Sequence, residues 1–157
     1  MKILLTGGTG FIGRELLKHM TTSEVVLVTR SPAQAKQTLH HTDMGNVTYV
    51  ENLADFHDLN DFDAIINLAG ESIADKRWSK AQKQNICDSR WKLTEKLVEL
   101  VHASTTPPAV FISGSAVGYY GDQQEHPFDE TLHVHNLHFP HIVCSKWEEI
   151  ANRARSD

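Results

Sequence analysis

The sequence predicts an α/β fold, a doubly wound parallel sheet of about five strands with helices on both faces. Short β-type runs alternate with helical stretches along the chain, which is the order expected for parallel strands joined by crossover helices. The strand segments are continuously apolar, as in Ile3-Leu4-Leu5 and Val25-Val26-Leu27-Val28, and such strands are typical of sheets covered on both faces. The strand order expected for this arrangement is 3-2-1-4-5.

Several of the predicted elements are bounded by residues that favour a start or an end. The predicted strands cover residues 2–6, 25–29, 47–51, 64–68 and 109–113. The predicted helices cover residues 11–21, 33–40, 80–102 and 144–155. Ser31 and Pro32 favour the start of the second helix, since a hydroxyl can cap the first turn and proline suits the first helical position. Pro107 and Pro108 end the third helix before the fifth strand.

Size, charge and composition exclude several classes of protein. With 157 residues, 40% of them hydrophobic, the chain can bury one core, so we expect a single domain over residues 1–157. A net charge of −5 without a basic stripe argues against nucleic acid as a partner. No apolar run approaches the roughly 20 residues of a membrane helix, and residues 1–5 fit a core strand rather than a signal peptide. Cys87 and Cys144 lack the spacing of a metal site, which favours a reducing, cytoplasmic location.

A glycine-rich turn joins the first predicted strand to the first predicted helix. Residues 6–13 are Thr-Gly-Gly-Thr-Gly-Phe-Ile-Gly, with an apolar run before them and an amphipathic stretch after them. In this context Gly7 permits a tight turn, Gly10 lets a pyrophosphate approach the backbone, and Gly13 lets the helix pack closely on the sheet. The phosphates would bind the free N–H groups at the positive end of the helix. The turn therefore predicts a dinucleotide-binding site.

The end of the second strand predicts which dinucleotide binds. A carboxylate at this point holds the 2′-hydroxyl of the NAD ribose, whereas a cation accommodates the 2′-phosphate of NADP. This chain has Arg30 and Ser31 there and no acid. A guanidinium can bind phosphate oxygens in a forked geometry, and Ser31 can add a hydroxyl donor. These residues favour NADP as the cofactor; the alternative is that Arg30 is a solvated loop residue.

A run of small residues ends the fourth strand and extends the predicted cofactor site. Asn67-Leu68-Ala69-Gly70 lies at the carboxyl edge of the sheet, where ligands of open α/β folds bind. Asn67 either lies beside the cofactor or only holds the strand end by hydrogen bonding. The predicted cofactor-binding residues are Gly7, Thr9, Gly10, Phe11, Ile12, Gly13, Arg30, Ser31, Leu53, Leu68, Ala69 and Gly70.

Ser113-Gly114-Ser115-Ala116 ends the fifth strand and completes the pattern of a known family. Together with the glycine-rich turn and Asn-Leu-Ala-Gly, it resembles the extended short-chain dehydrogenases/reductases, which have a Rossmann-type fold. Residues 67–78, Asn-Leu-Ala-Gly-Glu-Ser-Ile-Ala-Asp-Lys-Arg-Trp, with Ser89-Arg90-Trp91 and block 113–122, are similar to YfcH-type epimerase family proteins, an NAD-dependent epimerase/dehydratase-like branch. The resemblance covers the whole chain. It implies that this is an N-terminal portion and that a C-terminal substrate part is absent.

The resemblance also implies catalytic roles. In the family, a Ser or Thr at the position of Ser115 polarises a substrate carbonyl or hydroxyl. A tyrosine then acts as general acid/base, and a lysine four residues later lowers its pKa. Lys146 matches the lysine, which puts Ile142, a residue that cannot transfer a proton, at the tyrosine position. Tyr119 or Tyr120 is then the candidate replacement, although packing is the role we favour for both. Lys146 either binds the nicotinamide ribose of the cofactor or lies on a solvated helix face.

Two tryptophan-containing blocks are candidates for the lining of a substrate pocket. Asp75-Lys76-Arg77-Trp78 and Ser89-Arg90-Trp91 place charged groups beside tryptophan. This combination can bind an anionic, planar molecule by pairing and cation–π contact. The alternative makes Arg77 a surface cation and Trp91 a core residue of the third helix, which is the role we favour for Trp91.

Histidines crowd the segment before the last predicted helix. The segment contains His126, His133, His135, His138, His141 and Cys144. Zinc needs three or four ligands that converge with supporting contacts, and this spacing matches no structural zinc pattern. We therefore predict no metal site and a polar surface loop.

These observations lead to one hypothesis about function and one alternative. The chain is expected to bind NADP(H) and to belong to an oxidoreductase or epimerase that acts on a small carbonyl or sugar-like substrate. The alternative is a non-catalytic nucleotide-sensing or interaction protein that retains the dinucleotide site. Residues 1–157 alone are expected to lack dehydrogenase turnover. The fifth strand, as an open sheet edge, is expected to support self-association.

Overall fold

The computed structural model describes residues 1–40, 46–134 and 138–155 and shows the predicted α/β architecture. Within this part of the chain, the strands form one parallel sheet in the order β3-β2-β1-β4-β5, which confirms the predicted order. The strands are β1 (Lys2–Thr6), β2 (Glu24–Val28), β3 (Val47–Val50), β4 (Ala64–Asn67) and β5 (Val110–Ser113). The helices are α1 (Phe11–Lys18), α2 (Pro32–Leu39), α3 (Lys80–Ala103) and α4 (Phe139–Asn152).

Neighbouring residues of the apolar strands pack on opposite faces of the sheet. On one face, Leu4 of β1 lies in a buried cluster with Leu97 of α3. On the other face, Leu5 of β1 lies in a cluster with Leu17 of α1 and Leu39 of α2. Because side chains alternate along a strand, a strand covered on both faces must be apolar at successive positions. This is why these segments show no alternation of polar and apolar residues.

The fourth helix differs most from its prediction. It begins at Phe139, five residues before the predicted start at residue 144, and ends at Asn152. Pro140 lies in the first turn, where proline suits a helix, and His141 is buried rather than part of a surface loop. The predicted polar loop was therefore wrong for residues 139–143, whereas residues 126–134 form a largely exposed loop, as predicted. The histidines were interpreted as exposed loop residues, whereas the ring of His141 packs against Tyr119 in the interior.

The first two helices start near their predicted positions but differ in detail. α1 ends at Lys18, three residues before the predicted end, where the N–H of His19 closes the last turn. Ser31 precedes α2 and Pro32 is its first residue, as predicted, but the Ser31 hydroxyl makes no capping hydrogen bond. The backbone of Ser31 has ψ 87°, whereas Ser79, whose hydroxyl does cap α3, has ψ 167°. The remaining predicted bounds agree with the structure to within one residue.

Two short 3-10 turns were not predicted. Each follows the carboxyl end of a strand, on the same side of the sheet as the predicted cofactor site. Leu53–Asp55 follows β3, and Asn52 caps it by accepting a hydrogen bond from the N–H of Ala54 (2.9 Å). Val117–Tyr119 follows β5. Each turn has three residues, which is too short for a periodic pattern to appear in the sequence.

Candidate dinucleotide and substrate site

Two cavities lie at the carboxyl edge of the sheet and adjoin at the glycine turn, residues 6–13. The first, called here the Arg30 cavity, measures about 560 Å³ and is lined largely by residues that follow β1, β2, β3 and β4. The second, the Ser115 cavity, measures about 570 Å³ and is lined by the glycine turn, the segment after β5 and one face of α4. Gly7, Gly10 and Leu68 line both cavities. Together they cross the edge of the sheet where ligands of open α/β folds bind.

The glycine turn is close-packed at two positions and open at a third. Gly7 has φ +72°, and a Cβ there would lie 2.5 Å from the carbonyl carbon of Leu68. A Cβ on Gly13 would lie 2.4 Å from the carbonyl oxygen of Gly7, so α1 packs this closely against the turn only because residue 13 is glycine. A Cβ on Gly10 would meet one atom, the carbonyl oxygen of Gly7 at 3.2 Å, and no described side chain caps α1. The N-terminal end of α1 is therefore open to an anion.

Most of the predicted cofactor-binding residues line one of the two cavities. The Arg30 cavity is lined by Gly7, Thr9, Gly10, Arg30, Leu53, Leu68, Ala69 and Gly70. The Ser115 cavity is lined by Phe11, Ile12 and Gly13, as well as by the shared residues. Ser31 lies at the start of α2 and lines neither cavity. The structure thus brings together the predicted set with that one exception.

The Arg30 guanidinium is exposed and makes no ion pair with a described carboxylate. Glu71 lines the same cavity, but its carboxylate is bound to Lys76 at 3.0 Å. The pKa of the Glu71 carboxyl lies below its ordinary value, mainly because Lys76 donates this hydrogen bond, with smaller effects from Gln82 and from the charge of Arg30. Since Glu71 already has a cationic partner, the guanidinium of Arg30 is available to a ligand.

Asn67 holds the carboxyl ends of neighbouring strands together and lines neither cavity. It is buried, accepts a hydrogen bond from the Thr6 hydroxyl (2.7 Å), and donates to the hydroxyls of Thr94 (2.9 Å) and Ser113 (3.3 Å). Thr94 of α3 also accepts a hydrogen bond from the indole N–H of Trp147 on α4 (2.9 Å). Of the two roles predicted for Asn67, the structure shows hydrogen bonding at the strand end. The network links β1, β4, β5, α3 and α4.

Ser115 lies just after β5 and lines the Ser115 cavity. Its hydroxyl donates a hydrogen bond to a carboxylate oxygen of Glu148 on α4. Glu148 was not among the predicted site residues, because nothing in the local sequence distinguishes it from the adjacent Glu149. A carboxylate can take up or release a proton, so this contact joins Ser115 to a group capable of acid/base chemistry.

The positions predicted for the family's tyrosine and lysine face away from the Ser115 cavity. Lys146 forms an ion pair with Glu149 at 3.0 Å, and Ile142 is 42% exposed. Residues four apart share one face of a helix, so both positions lie on the outer side of α4. The face that lines the cavity carries Pro140, Val143, Cys144 and Trp147. The structure therefore does not bring Lys146 to Ser115.

Tyr119 packs behind the Ser115 cavity instead of lining it. The centroid of its ring lies 4.9 Å from that of His141, and its carbonyl oxygen lies 2.5 Å from Nδ1 of the same histidine. Tyr120 contacts the Tyr119 ring edge-on at 5.2 Å, and burial raises the pKa of Tyr120. Both tyrosines line a smaller cavity of about 310 Å³, which Ser115 and Glu148 also line. The structure thus shows the packing role for Tyr119.

The two tryptophan-containing blocks occupy different positions. Trp78 lines the Ser115 cavity, where its indole N–H donates to a backbone carbonyl at 2.7 Å. Trp91 packs between α3 and α4, and its indole N–H donates to the carbonyl of Val143 at 3.1 Å, which is the core role we favoured. Arg77 is exposed and lines neither cavity. Arg90, by contrast, is partly buried and lines the Ser115 cavity.

The described part of the chain contains no cluster of metal ligands. His126, His133 and His138 are exposed, while His141 is buried against Tyr119. His135, which was also part of the predicted histidine-rich segment, lies outside the described residues. Across residues 1–40, 46–134 and 138–155, no three His, Cys, Asp or Glu side chains come together as metal ligands. In the same ranges, no helix is long and apolar enough to span a membrane.

Comparisons of the sequence identify its relatives. Residues 3–143 match the NAD dependent epimerase/dehydratase family. Protein Rcp of Vibrio cholerae is 41% identical over 124 residues, which cover 79% of this chain and 60% of Rcp. The chloroplastic SDR39U1 homolog of Arabidopsis thaliana, an epimerase family protein, is 34% identical over 161 residues, covering 100% of this chain and 46% of the homolog.

Solved structures have the same fold over this length. Human epimerase family protein SDR39U1 (isoform 2), in a crystal structure with NADPH, has a TM-score of 0.79 at 27% identity, with 96% of this chain and 48% of the human chain covered. UDP-glucuronic acid 4-epimerase from Bacillus cereus, in complex with NAD, has a TM-score of 0.75 at 22% identity, with 98% and 52% covered. This chain thus spans roughly half to three fifths of the length of these proteins. It belongs to the NAD dependent epimerase/dehydratase family.

Proposed function

We propose that this chain binds NADP(H) and forms the cofactor-binding part of an oxidoreductase or epimerase that acts on a small carbonyl or sugar-like substrate. The observation that carries the proposal is the position of Arg30. It follows β2, lines the cavity beside the glycine turn, and has no ion-pair partner among the described residues. A guanidinium at this point suits the 2′-phosphate that distinguishes NADP from NAD.

The relatives support the same choice of cofactor. Human SDR39U1, which covers 96% of this chain at 27% identity, has a crystal structure with NADPH. The Bacillus cereus epimerase, whose structure contains NAD, is only 22% identical and supports the fold alone. The human protein is therefore the better guide to the dinucleotide.

The two cavities would hold opposite halves of the cofactor. The pyrophosphate would bind at the open N-terminal end of α1 beside Gly10, and the adenosine half would enter the Arg30 cavity. The nicotinamide half would then enter the Ser115 cavity, where Phe11, Phe139 and Trp147 form apolar walls that exclude water. When bound, NADP(H) would supply or accept the hydride.

Ser115 and Glu148 would transfer the proton that accompanies hydride transfer to or from a substrate oxygen. With Glu148 ionised, the Ser115 hydroxyl donates to its carboxylate, as the structure shows. With Glu148 protonated, Ser115 can accept that hydrogen and donate its own to a substrate oxygen. Glu148 lines the smaller cavity, which shares Ser115 and Ala116 with the Ser115 cavity, so Ser115 connects this carboxylate to the substrate side.

Titration of the chain with NADPH and NADH tests the cofactor assignment. Arg30→Gln should weaken NADPH binding by about tenfold to a hundredfold, since a charge-assisted contact to phosphate contributes about 1.5–3 kcal/mol. NADH binding should not change. Arg77→Gln is the matched control, because Arg77 is exposed and lines neither cavity. If the unmodified chain binds NADH as tightly as NADPH, the assignment of NADP is wrong.

A further inference from the structure

Arg90 is the only charged side chain among the described residues that line the Ser115 cavity. Its guanidinium is partly buried, and burial lowers the pKa of this group. A cation inside a largely apolar cavity is costly unless an anion or strong acceptors compensate it. The contacts of Arg90 therefore show whether this charge is fully satisfied within the protein or is available to a ligand.

The protein holds one side of the guanidinium in place. Nη1 donates hydrogen bonds to the carbonyl oxygens of Glu71 (3.0 Å) and Ile86 (3.2 Å). The Cζ atom lies 5.3 Å from the centroid of the Trp147 ring, a cation–π contact. Gly70 leaves room for the group, because a Cβ there would lie 2.7 Å from Cζ. These contacts fix the orientation of the guanidinium plane.

The Trp147 ring, which contacts the Arg90 guanidinium, is itself fixed by burial and by a hydrogen bond. The indole N–H of Trp147 donates to the Thr94 hydroxyl at 2.9 Å, and Trp147 is buried. Thr94 in turn donates to the carbonyl oxygen of Arg90 at 2.6 Å. The backbone and the ring that position Arg90 thus belong to one hydrogen-bond network.

The other side of the guanidinium has no partner in the described protein. Nε and Nη2 donate to no described group, and no buried side-chain nitrogen of the described residues lacks a hydrogen bond, so these two atoms are reached by solvent. The nearby Glu71 carboxylate binds Lys76 and Gln82 instead. Nε and Nη2 form the edge of the guanidinium that binds two oxygens of one carboxylate.

We propose that Arg90 binds an anionic oxygen group of the substrate, and that the substrate is a small carboxylic acid with an apolar or planar body. The carboxylate would pair with the open edge of the guanidinium, while the body would pack against the apolar walls formed by residues such as Phe139 and Val143. Ser115 lines the same cavity, so a carbonyl or hydroxyl elsewhere on the acid can reach it. This inference rests on the proposed function, because it assigns the substrate side of the same site.

Benzoate and benzamide test the proposal, since they have the same shape and differ in charge. Binding is followed by two-dimensional NMR of the chain, using the side-chain resonance of Trp147 Nε1–H in every variant and that of Arg90 Nε–H wherever Arg90 is retained. Benzoate is expected to bind the unmodified chain at least about tenfold more tightly than benzamide, because it makes a charge-assisted, two-point contact. In Arg90→Gln this preference should disappear, while Arg77→Gln should retain it.

A second variant covers the case in which Arg90→Gln fails to fold. Gly70→Ala introduces a Cβ at 2.7 Å from Cζ and displaces the end of the Arg90 side chain without removing its charge. It should also reduce the preference for benzoate by about tenfold. The proposal is overturned if the unmodified chain binds both probes equally, or if the preference for benzoate persists in the folded variants.

The same variants separate this proposal from the cofactor assignment. NADPH affinity should change little in Arg90→Gln, since the 2′-phosphate contact depends on Arg30. A tenfold loss of NADPH binding in Arg90→Gln, with the benzoate preference unchanged, would instead assign Arg90 to the cofactor and overturn the proposal. If NADPH does not bind at all but benzoate still binds through Arg90, the proposed NADP(H)-binding function is wrong, while the anion site at Arg90 is supported.

Discussion

The Arg30 cavity and the Ser115 cavity adjoin at the glycine turn, yet they are built in different ways. The Arg30 cavity is lined largely by residues that directly follow parallel strands, so the strand order alone brings these residues together. Residues of α3 line both cavities, but of the two only the Ser115 cavity is also lined by α4. Its Arg90 donates to the carbonyl oxygen of Glu71, and its Trp147 donates to Thr94, so both are placed by hydrogen bonds between distant segments. The strand order thus places most of the lining of the Arg30 cavity, whereas the Ser115 cavity also depends on how α4 packs against α3.

Gly10→Val tests the part that both cavities share and has the largest expected effect. NADPH binding should weaken by about a hundredfold or more, because a branched side chain would fill the space through which a pyrophosphate reaches α1. The fold should survive, since only the carbonyl oxygen of Gly7, at 3.2 Å, lies near the new Cβ. Fluorescence titration with NADPH and circular dichroism measure the two effects.

Gly13→Val is the control for this experiment. Its Cβ would lie 2.4 Å from the carbonyl oxygen of Gly7, so this variant should lose the fold of the turn together with binding. A folded Gly10→Val protein with undiminished affinity for NADPH would remove the basis for placing the cofactor at the glycine turn.

Thr94→Val tests whether the Ser115 cavity depends on helix packing. Loss of the hydroxyl leaves the indole N–H of Trp147 and one amide donor of Asn67 without their acceptor. The free energy of unfolding should fall by about 2 kcal/mol, as measured by urea denaturation. Thr38→Val is the matched control, because the Thr38 hydroxyl also bonds to a carbonyl four residues earlier but is exposed. Equal effects of the two variants would contradict the importance of the network.

Ile112→Lys tests whether the chain self-associates through the edge strand β5. On the edge strand β5, Val110 is 44% and Ile112 is 51% exposed, and both lie on the same face of the strand. We expect the chain to self-associate here, and Ile112→Lys should weaken that association about tenfold or more through lost apolar burial. Thr48→Lys, at an exposed position of the opposite edge strand β3, should have no effect. Light scattering that shows a strict monomer of the unmodified chain at high concentration would contradict this expectation.

Lys146→Ala should have the smallest effect. Lys146 pairs with Glu149 on the outer side of α4 and lines neither cavity, so the affinity for NADPH should change less than about twofold. Titrations of Lys146→Ala and Arg30→Gln under the same conditions give the comparison. A tenfold loss in Lys146→Ala would place this lysine at the cofactor, as the family resemblance implied.

The predictions succeeded for features that depend on a residue and its near neighbours in the sequence. The glycine turn, the apolar strands and the sheet order all follow from short patterns, since each element forms mainly within its own segment. Prediction failed at the start of α4, where buried His141 was taken for a loop residue. It also missed Glu148, because the contact with Ser115 joins residues that are 33 positions apart.

The sequence by itself determined the α/β class, the strand order and the open helix end beside Gly10, because periodicity and glycine positions are properties of short segments. Only the tertiary structure decided which side chains meet at the Ser115 cavity. The rotation of α4 about its axis turns Trp147 inward and Lys146 outward, and the packing of α4 on α3 sets that rotation. A helix pattern shows which face is apolar, but not which polar residues at the border of that face reach a partner on another element.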